Sequence, residues 1–342
     1  MVSVLISCYN VSRFIDRGIS AVLTQTYEDC EFIIVDDGSV DDTYHKLKAW
    51  AKKDSRIKII RHQTNMGLGA ARNTGLENAK GDFVYFADID DVVHKDLVEY
   101  CVKKISKYQA DMLIFGFNAI LDIKPYEIDC VRYKERFIES QDQLRKIYVD
   151  EIMLARHGCG FVWNKFYRRS FIENYKLRFG NQAIQQDEPF NLNALLNIGK
   201  LYISPEVLYD YYIYSSGNNA SRYIPERINI YLLIDSLYDN LRKYWCLEDD
   251  RVEKFRIRRL WGGIIKVLLY DLYHNDNKMT SKEKNHFFDK IVTYPRLKEV
   301  IEKERKVGSL RNRIPSLIMR RGGRKYLRFY FNMENILRKI LK

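Results

Sequence analysis

Phe83-Val84-Tyr85-Phe86-Ala87 is an apolar run, and Asp88-Ile89-Asp90-Asp91 follows it directly. The run has the β-branched and aromatic composition of a buried strand, so three carboxylates are predicted at the tip of that strand. Carboxylates held this close repel one another, and a hard divalent cation such as Mn²⁺ or Mg²⁺ relieves the repulsion. Because such a cation can also hold a diphosphate, the segment indicates an enzyme that handles an activated phosphate ester.

The three carboxylates are expected to have different roles. In a strand-like backbone, successive side chains alternate in direction, so Asp88 and Asp90 point one way and Asp91 points the other. We predict Asp90 as the metal ligand and place Asp88 near a ribose or a metal-bound water. The structural alternative is that Asp91 caps the following helix and the other two carboxylates are solvated.

The first 120 residues alternate strand and helix patterns around this segment. This alternation predicts an α/β domain with a mostly parallel sheet covered by helices on both faces. The predicted strands are 2–6, 32–35, 57–60, 83–86 and 112–117, and the predicted helices are 14–23, 43–53, 69–78 and 97–108. Ligands of such sheets bind beyond the carboxyl ends of the strands. Polar clusters stand at three of those ends: 7–10, 36–39 and 88–91.

Two further groups suit a nucleotide. Asp37, in Asp36-Asp37-Gly38-Ser39, can accept a hydrogen bond from a nucleobase N–H, although these residues also form plain turns. The glycine-rich entry into the helix after the third strand can cradle phosphate, and Arg72 within it can pair with a diphosphate. The spacing is not GxGxxG and follows the wrong strand, so a dinucleotide-binding site is not favoured.

The second half of the domain contains a candidate base. Asp187 stands at a predicted helix start, Gln186-Asp187-Glu188-Pro189. A carboxylate beside an acceptor hydroxyl can take its proton as that hydroxyl attacks a sugar, and Glu188 is the second choice for this role. The structural alternative is that Asp187 only caps the helix.

Residues 223–342 are predicted to form a separate helical region, with helices near 225–245, 251–274, 281–292 and 296–306. The net charge of the chain is +12, and 303–342 alone has thirteen Lys or Arg against two Glu. Its apolar and basic residues alternate as in an amphipathic helix at an anionic membrane surface. A solvated basic face on packed helices explains the pattern equally well, and nucleic acid is not expected as a partner.

The composition excludes several classes. With 342 residues, 46% hydrophobic, the chain is globular and not disordered. Its six scattered cysteines lack a CxxC pair and indicate free thiols in a reducing compartment. No signal-peptide pattern opens the chain, and no apolar run reaches the roughly 18 to 20 residues that span a bilayer. A cytoplasmic enzyme, peripheral at the inner face of the plasma membrane if the basic region binds lipid, is the expectation.

The motifs, taken in order, resemble the family 2 glycosyltransferases with a GT-A fold, and among them those of bacterial capsule, exopolysaccharide and O-antigen synthesis. The resemblance covers residues 1–222 and is strongest over the first hundred. The matching segments are 2–10, 25–27, 31–39, 65–67, 71–75, 81–91 and 163–165.

The resemblance implies a nucleotide-sugar donor, usually a UDP-sugar, a Mn²⁺ or Mg²⁺ ion and inversion at the anomeric carbon. It implies a donor half at 1–120 and an acceptor half at 121–222. In the donor half, the positions implied at the nucleotide are Ser7, Tyr9 stacking on the base, Asn10, Asp37 accepting from uracil N3–H, Arg72 and Asp88. In the acceptor half, the implied positions are the base Asp187, Trp163, Lys165 and Glu188 near the acceptor, and Ser221 at the diphosphate.

The sequence departs from the family pattern at two positions. Gln186 replaces the Glu that usually precedes the base, and Ile213 stands where many members have Arg or His after a tyrosine-rich strand. The expected enzyme transfers a sugar to a glycan or to a polyprenyl-diphosphate-linked acceptor. The alternatives are a sugar-phosphate nucleotidyltransferase and a non-enzymatic basic protein that binds polyanions.

Overall fold

The computed structural model describes residues 1–155, 160–214, 222–321 and 323–340, with side chains through 333. It contains two compact units, Met1–Asn218 and Asn219–Lys342. Unit 1 contains, in chain order, β1 (Val2–Cys8), α1 (Ile15–Leu23), β2 (Cys30–Asp36), α2 (Thr43–Ala51), β3 (Ile57–Arg61), α3 (Leu68–Asn78), β4 (Phe83–Asp88), β5 (Val92–Val93), α4 (Leu97–Lys107), β6 (Met112–Leu121), β7 (Lys124–Val131), β8 (Arg136–Ile138), α5 (Gln141–Ile147), a π-helical segment (Tyr148–Met153), β9 (Lys165–Arg168), α6 (Arg169–Asn174), α7 (Asp187–Asn197) and β10 (Leu201–Ile213).

Ten strands of the described residues form one sheet, in the order β3-β2-β1-β4-β9-β6-β10-β5, with β7 beside β6 and β8 beside β10. Strands β3, β2, β1 and β4 are parallel, and so are β6 and β10. Strands β1, β2 and β4 are largely buried, which agrees with their mostly apolar sequences. The predicted α/β fold with a mostly parallel sheet is confirmed.

Four strands of the described residues, β5, β7, β8 and β9, were not predicted, and β9 bears most on the site. β9 runs antiparallel to both β4 and β6 and joins the two parallel parts of the sheet. Aromatic packing holds it there: the Phe166 ring lies 5.8 Å from Phe83 and 6.2 Å from Tyr85. Because β9 sits in the middle of the sheet, the residues just before it lie close to the sheet edge that carries the polar clusters.

Unit 2 is all helical in its described part, as predicted. Its helices are α8 (Arg227–Tyr244), α9 (Asp250–Leu269), α10 (Ser281–Thr293), α11 (Pro295–Val307), α12 (Leu310–Arg320) and α13 (Arg324–Ile340), with a 3-10 turn at Asp271–Tyr273. They share a core that includes Leu260, Ile264, Leu268, Phe288 and Val300. No helix of the described residues is both long enough and apolar enough to span a bilayer.

Candidate active site

The polar tips of three parallel strands meet at one sheet edge. In the register of the sheet, Ser7 at the end of β1 lies beside Asp88 of β4, and Cys8 lies beside Asp36 of β2. The edge is therefore lined by the segments that the sequence singled out. Ligands of parallel α/β sheets bind at this edge.

Asn10 and Tyr9 follow β1 at this edge. Asn10 has a left-handed backbone (φ 52°) and bridges to the β2 turn. Its main-chain N–H donates to Ser39 Oγ (3.0 Å), and its side-chain Oδ1 accepts from the main-chain N–H of Val40 (2.9 Å). Asn10 therefore fixes the two strand tips to each other. Tyr9 is 44% exposed, so its ring can receive a planar ligand such as a nucleobase.

Asp37 organises the loop that leads into α3. The carboxylate is buried and accepts from Met66 N and Gly67 N, both at 2.8 Å. His62 Nδ1 lies 2.7 Å from the same carboxylate. Both oxygens of Asp37 thus hold protein groups, and the predicted bond to a uracil N3–H stays a prediction.

Arg72 brings the predicted base and the predicted nucleotide site together. This buried arginine of α3 donates through one terminal nitrogen to Asp88 Oδ1 (3.0 Å) and through the other to Asp187 Oδ1. The guanidinium also lies 5.3 Å from the centre of the Phe179 ring. Burial alone would lower the pKa of Arg72, but the two carboxylates outweigh the effect of burial and raise the pKa. The Arg72 guanidinium therefore stays positively charged.

Asp187 is the first residue of α7, and Gln186 occupies the N-cap position. The alternative that Asp187 is a helix cap is therefore wrong: its Oδ1 accepts from Arg72, and its Oδ2 accepts from Val162 N at 3.4 Å. Burial raises the pKa of Asp187, while Arg72 opposes that shift. A carboxylate whose pKa is raised is a stronger proton acceptor than an exposed one, which suits a general base.

Asp91 ties the carboxylate cluster to β10. It is buried, and it accepts from Tyr209 Oη (2.7 Å) and from Tyr212 N (2.8 Å). Since α4 begins only at Leu97, the alternative that Asp91 caps that helix is wrong. Two residues of β5 also pair with β10, so the turn at 88–91 is held against the last strand.

Asp90 remains available to a ligand. Its main-chain carbonyl oxygen accepts from Tyr214 Oη (2.9 Å) and from Arg17, and no side chain of the described residues donates to its carboxylate. Burial, and then the charge of Asp88, raise the pKa of Asp90 to about 6. An uncompensated, partly buried carboxylate of this kind is stabilised by a cation.

The fit to a divalent metal rests on this donor set. Among the described residues, no three His, Cys, Asp or Glu side chains form a closed metal cage. Mg²⁺ and similar ions are often held by only one or two carboxylates and complete their coordination with substrate phosphates. Asp90, with Asp88 beside it, fits a metal shared with a diphosphate and does not fit a permanently bound structural ion.

The residues predicted near the acceptor are buried in unit 1. Trp163 is stacked 4.6 Å from the Tyr209 ring, and Lys165 Nζ donates to Asn164 Oδ1 at 2.9 Å. Glu188 is also buried. These three side chains are therefore part of the packed interior of unit 1, and a direct contact with an acceptor stays a prediction. Ser221 lies outside the described residues.

Sequence reasoning missed four residues that the structure brings to the cluster: Arg17, Tyr209, Tyr212 and Tyr214. The tyrosine-rich composition of β10 was visible, but nothing local connects it to Asp90 and Asp91. Arg17 had no sequence signal, because it is one exposed basic residue on an amphipathic helix.

The fold and this edge define an α/β domain with a ligand site at the ends of its parallel strands, and comparison with known proteins identifies its family. The model of "Glycosyl transferase family 2" matches residues 3–179, so the chain belongs to that family. The uncharacterized glycosyltransferase EpsJ of Bacillus subtilis is 33% identical over 229 residues, which are 66% of this chain and 64% of EpsJ.

Solved structures agree on the GT-A fold. S. aureus TarS 1–349 in complex with UDP-GlcNAc superposes with a TM-score of 0.61 at 20% identity and covers 96% of this chain and 89% of that one. The mannosyltransferase PcManGT of Pyrobaculum calidifontis in complex with GDP-Man and Mn²⁺ gives a TM-score of 0.50 at 13% identity, covering 87% and 82%. At these identities the likeness establishes the fold alone.

Proposed function

We propose that the protein is an inverting, metal-dependent glycosyltransferase that moves a sugar from a UDP-sugar to a hydroxyl of a glycan or polyprenyl-diphosphate-linked acceptor in cell-surface polysaccharide synthesis. The observation that carries the proposal is the chain of contacts Asp187–Arg72–Asp88 beside Asp90. In this chain of contacts a buried carboxylate, a guanidinium and two further carboxylates lie at one sheet edge, which supports Asp187 as the proposed base. The UDP-GlcNAc and Mn²⁺ complexes of fold neighbours support UDP-sugars and Mn²⁺ as the first ligands to test.

Each residue of the site has a separate role in the proposed reaction. Tyr9 receives the nucleobase on its exposed ring, and Asp37 keeps the 66–67 loop in place beside it. Asp90, with Asp88, would hold the metal, which neutralises charge on the departing diphosphate when it is bound. Asp187 takes the proton of the acceptor hydroxyl while the oxygen of that hydroxyl bonds to C1 of the sugar. The bond between C1 and the diphosphate oxygen breaks, and its electron pair leaves with UDP.

Arg72 has a positioning role in this scheme. Its two ion pairs fix Asp187 and Asp88 relative to each other, so the base and the metal-side carboxylate keep one geometry. It also opposes the rise in the pKa of Asp187 that burial causes, because its charge lies against the carboxylate. A base already held in position at the site needs no rearrangement before the acceptor arrives.

A panel of nucleotides and nucleotide sugars, with and without Mn²⁺, tests the proposal by thermal shift. Ligands that bind only the folded protein stabilise it and so raise its melting temperature. At a ligand concentration of 100 times Kd, the free energy of unfolding rises by about 2.7 kcal/mol. We expect UDP and at least one UDP-sugar to stabilise the protein more with Mn²⁺ than without it. A panel in which no nucleotide moves the melting temperature would contradict the proposal. A nucleotidyltransferase or a non-enzymatic protein is disfavoured because the chain belongs to a glycosyltransferase family.

We also propose that unit 2 binds an anionic membrane surface. Helices α12 and α13 bury Met319 and Leu327 in the unit, yet leave other large apolar side chains between 40% and 76% exposed. These exposed side chains are Leu310, Ile314, Leu317, Tyr326, Phe329 and Met333. Lys and Arg residues surround them, with thirteen in 303–342. Apolar side chains that insert beside basic ones that meet lipid phosphates are typical of interfacial helices.

Vesicle flotation checks this surface. The double variant Leu310→Ser, Phe329→Ser should lose about tenfold or more in affinity for vesicles containing phosphatidylglycerol, since each buried apolar side chain contributes about 1.5–3 kcal/mol. Tyr244→Ser, which removes an equally exposed aromatic ring of α8, serves as the control and should bind as the parent does. Equal binding by the parent and the double variant, or no preference for anionic over neutral vesicles, would refute the membrane proposal.

A further inference from the structure

Arg17 of α1 lies at the junction of the carboxylate turn and the end of β10. One terminal nitrogen of its guanidinium donates to the carbonyl oxygen of Asp90 and to Tyr214 Oη, the latter at 2.6 Å. The guanidinium carbon lies 4.5 Å from the centre of the Tyr212 ring. Arg17 therefore touches the predicted metal ligand and both tyrosines that flank position 213.

The charge of Arg17 is not cancelled by an acidic side chain of the described residues. The nearby Asp16 is bonded instead to Lys46 (2.9 Å) and to Trp50 Nε1 (3.0 Å). Arg13, one turn earlier, lies 4.4 Å from the centre of the Phe14 ring and likewise forms no ion pair with a described residue. Two exposed guanidinium groups thus lie against aromatic rings at the edge of the site. The positive charges of both oppose the rise in the pKa of Asp90.

The end of β10 offers no cation of its own. Tyr212, Ile213 and Tyr214 carry no basic group, so the positive charge at this place comes from α1. Guanidinium has five N–H groups, and Arg17 uses only its NH2 group on Asp90 and Tyr214. Its remaining N–H groups have the planar geometry that pairs with phosphate oxygens, and stacking on a ring keeps that plane fixed.

We propose that Arg17, assisted by Arg13, binds the diphosphate of the nucleotide donor beside Asp90. This inference rests on the proposed function, because it assigns a new residue to the same donor site. Arg17 has two effects there. It holds the Asp90 carbonyl, and hence the turn, in place, and it offsets the negative charge that the diphosphate brings next to Asp88 and Asp90. Part of the binding is expected to persist without metal.

Calorimetric titration of the full chain with UDP and with uridine separates a diphosphate contact from a general structural effect. Both ligands carry the base and ribose, but only UDP carries the diphosphate. We expect Arg17→Gln to weaken UDP binding about tenfold or more, with and without Mn²⁺, and to leave uridine binding within about twofold. Arg17→Lys should restore part of the affinity, since it keeps the charge but not the fork of donors. Arg13→Gln should lose less, about threefold.

Arg132→Gln is the matched control, because Arg132 is an exposed arginine of β7's end that donates only to a main-chain carbonyl, at 3.4 Å. It should bind UDP as the parent does. The inference is overturned if Arg17→Gln binds UDP within twofold of the parent, or if it loses UDP and uridine equally. Failure of the parent protein itself to bind UDP would instead overturn the proposed function, and this inference with it.

Discussion

Replacing Asp187 by Asn should lower the rate of sugar transfer by about 100- to 10,000-fold, the usual contribution of a positioned general base. Asn has nearly the same shape and keeps an oxygen for Arg72, so the buried contact to α3 survives while the proton acceptor is lost. Donor binding should stay within about twofold, because Asp187 lies on the acceptor side in the proposed reaction. The result expected is therefore a loss in kcat with little change in the KM for the donor.

Single-turnover transfer and a UDP titration on the same preparation check this result. Asp142→Asn, a change at an exposed carboxylate of α5, should behave as the parent protein does and controls for handling. Near-normal transfer by Asp187→Asn with donor still bound would show that another group is the base. Glu188, the next residue of α7 and also buried, would then be the group to test.

The second large effect concerns the stability of unit 2. Asp235 of α8 is buried and accepts two hydrogen bonds from Arg256 (both 3.0 Å) and two from Arg296 (2.9 and 3.1 Å). Asp235→Ala would remove the buried carboxylate that the two arginines share, although Glu253 still bonds both of them. Leaving a buried charge without any partner costs about 3–5 kcal/mol, so with Glu253 still in place we expect a loss near the lower end of that range.

Hydrogen exchange resolved by segment is the suitable measurement, since a chain with two units need not unfold in one step. We expect amides of α8 and α9 to exchange about 100-fold faster or more in Asp235→Ala, with the sheet of unit 1 unchanged. Asp289→Ala, at an exposed position of α10, should leave exchange unaltered. Unchanged protection of α8 and α9 in Asp235→Ala would mean that this ion network does not stabilise the unit.

The parts of the fold that follow from local pattern could be predicted from the sequence. The apolar runs predicted β1, β2 and β4 to within a few residues, and parallel pairing then placed Ser7, Asp36 and Asp88 at one edge. That these strand ends lie side by side can be predicted without knowing any side-chain contact. It follows from the direction of the strands alone.

The parts that depend on distant partners could not be predicted. Asp91 reads as a helix cap from its neighbours, yet its partners Tyr209 and Tyr212 are 118 and 121 residues away. The pairing of Arg72 with Asp187 spans 115 residues. The resemblance implied Lys165 near the acceptor, but its burial follows from the pairing of β9 with β6, which no local pattern announced.

The central claim is that this sheet edge binds a nucleoside diphosphate through a metal held by Asp90. Titration of UDP into the parent protein and into Asp90→Asn, each with and without Mn²⁺, tests it most directly. The account predicts that Mn²⁺ tightens UDP binding by the parent about tenfold or more, and that Asp90→Asn loses this gain while keeping its metal-free affinity. Full Mn²⁺ enhancement in Asp90→Asn, or a parent protein that does not bind UDP at all, would contradict it.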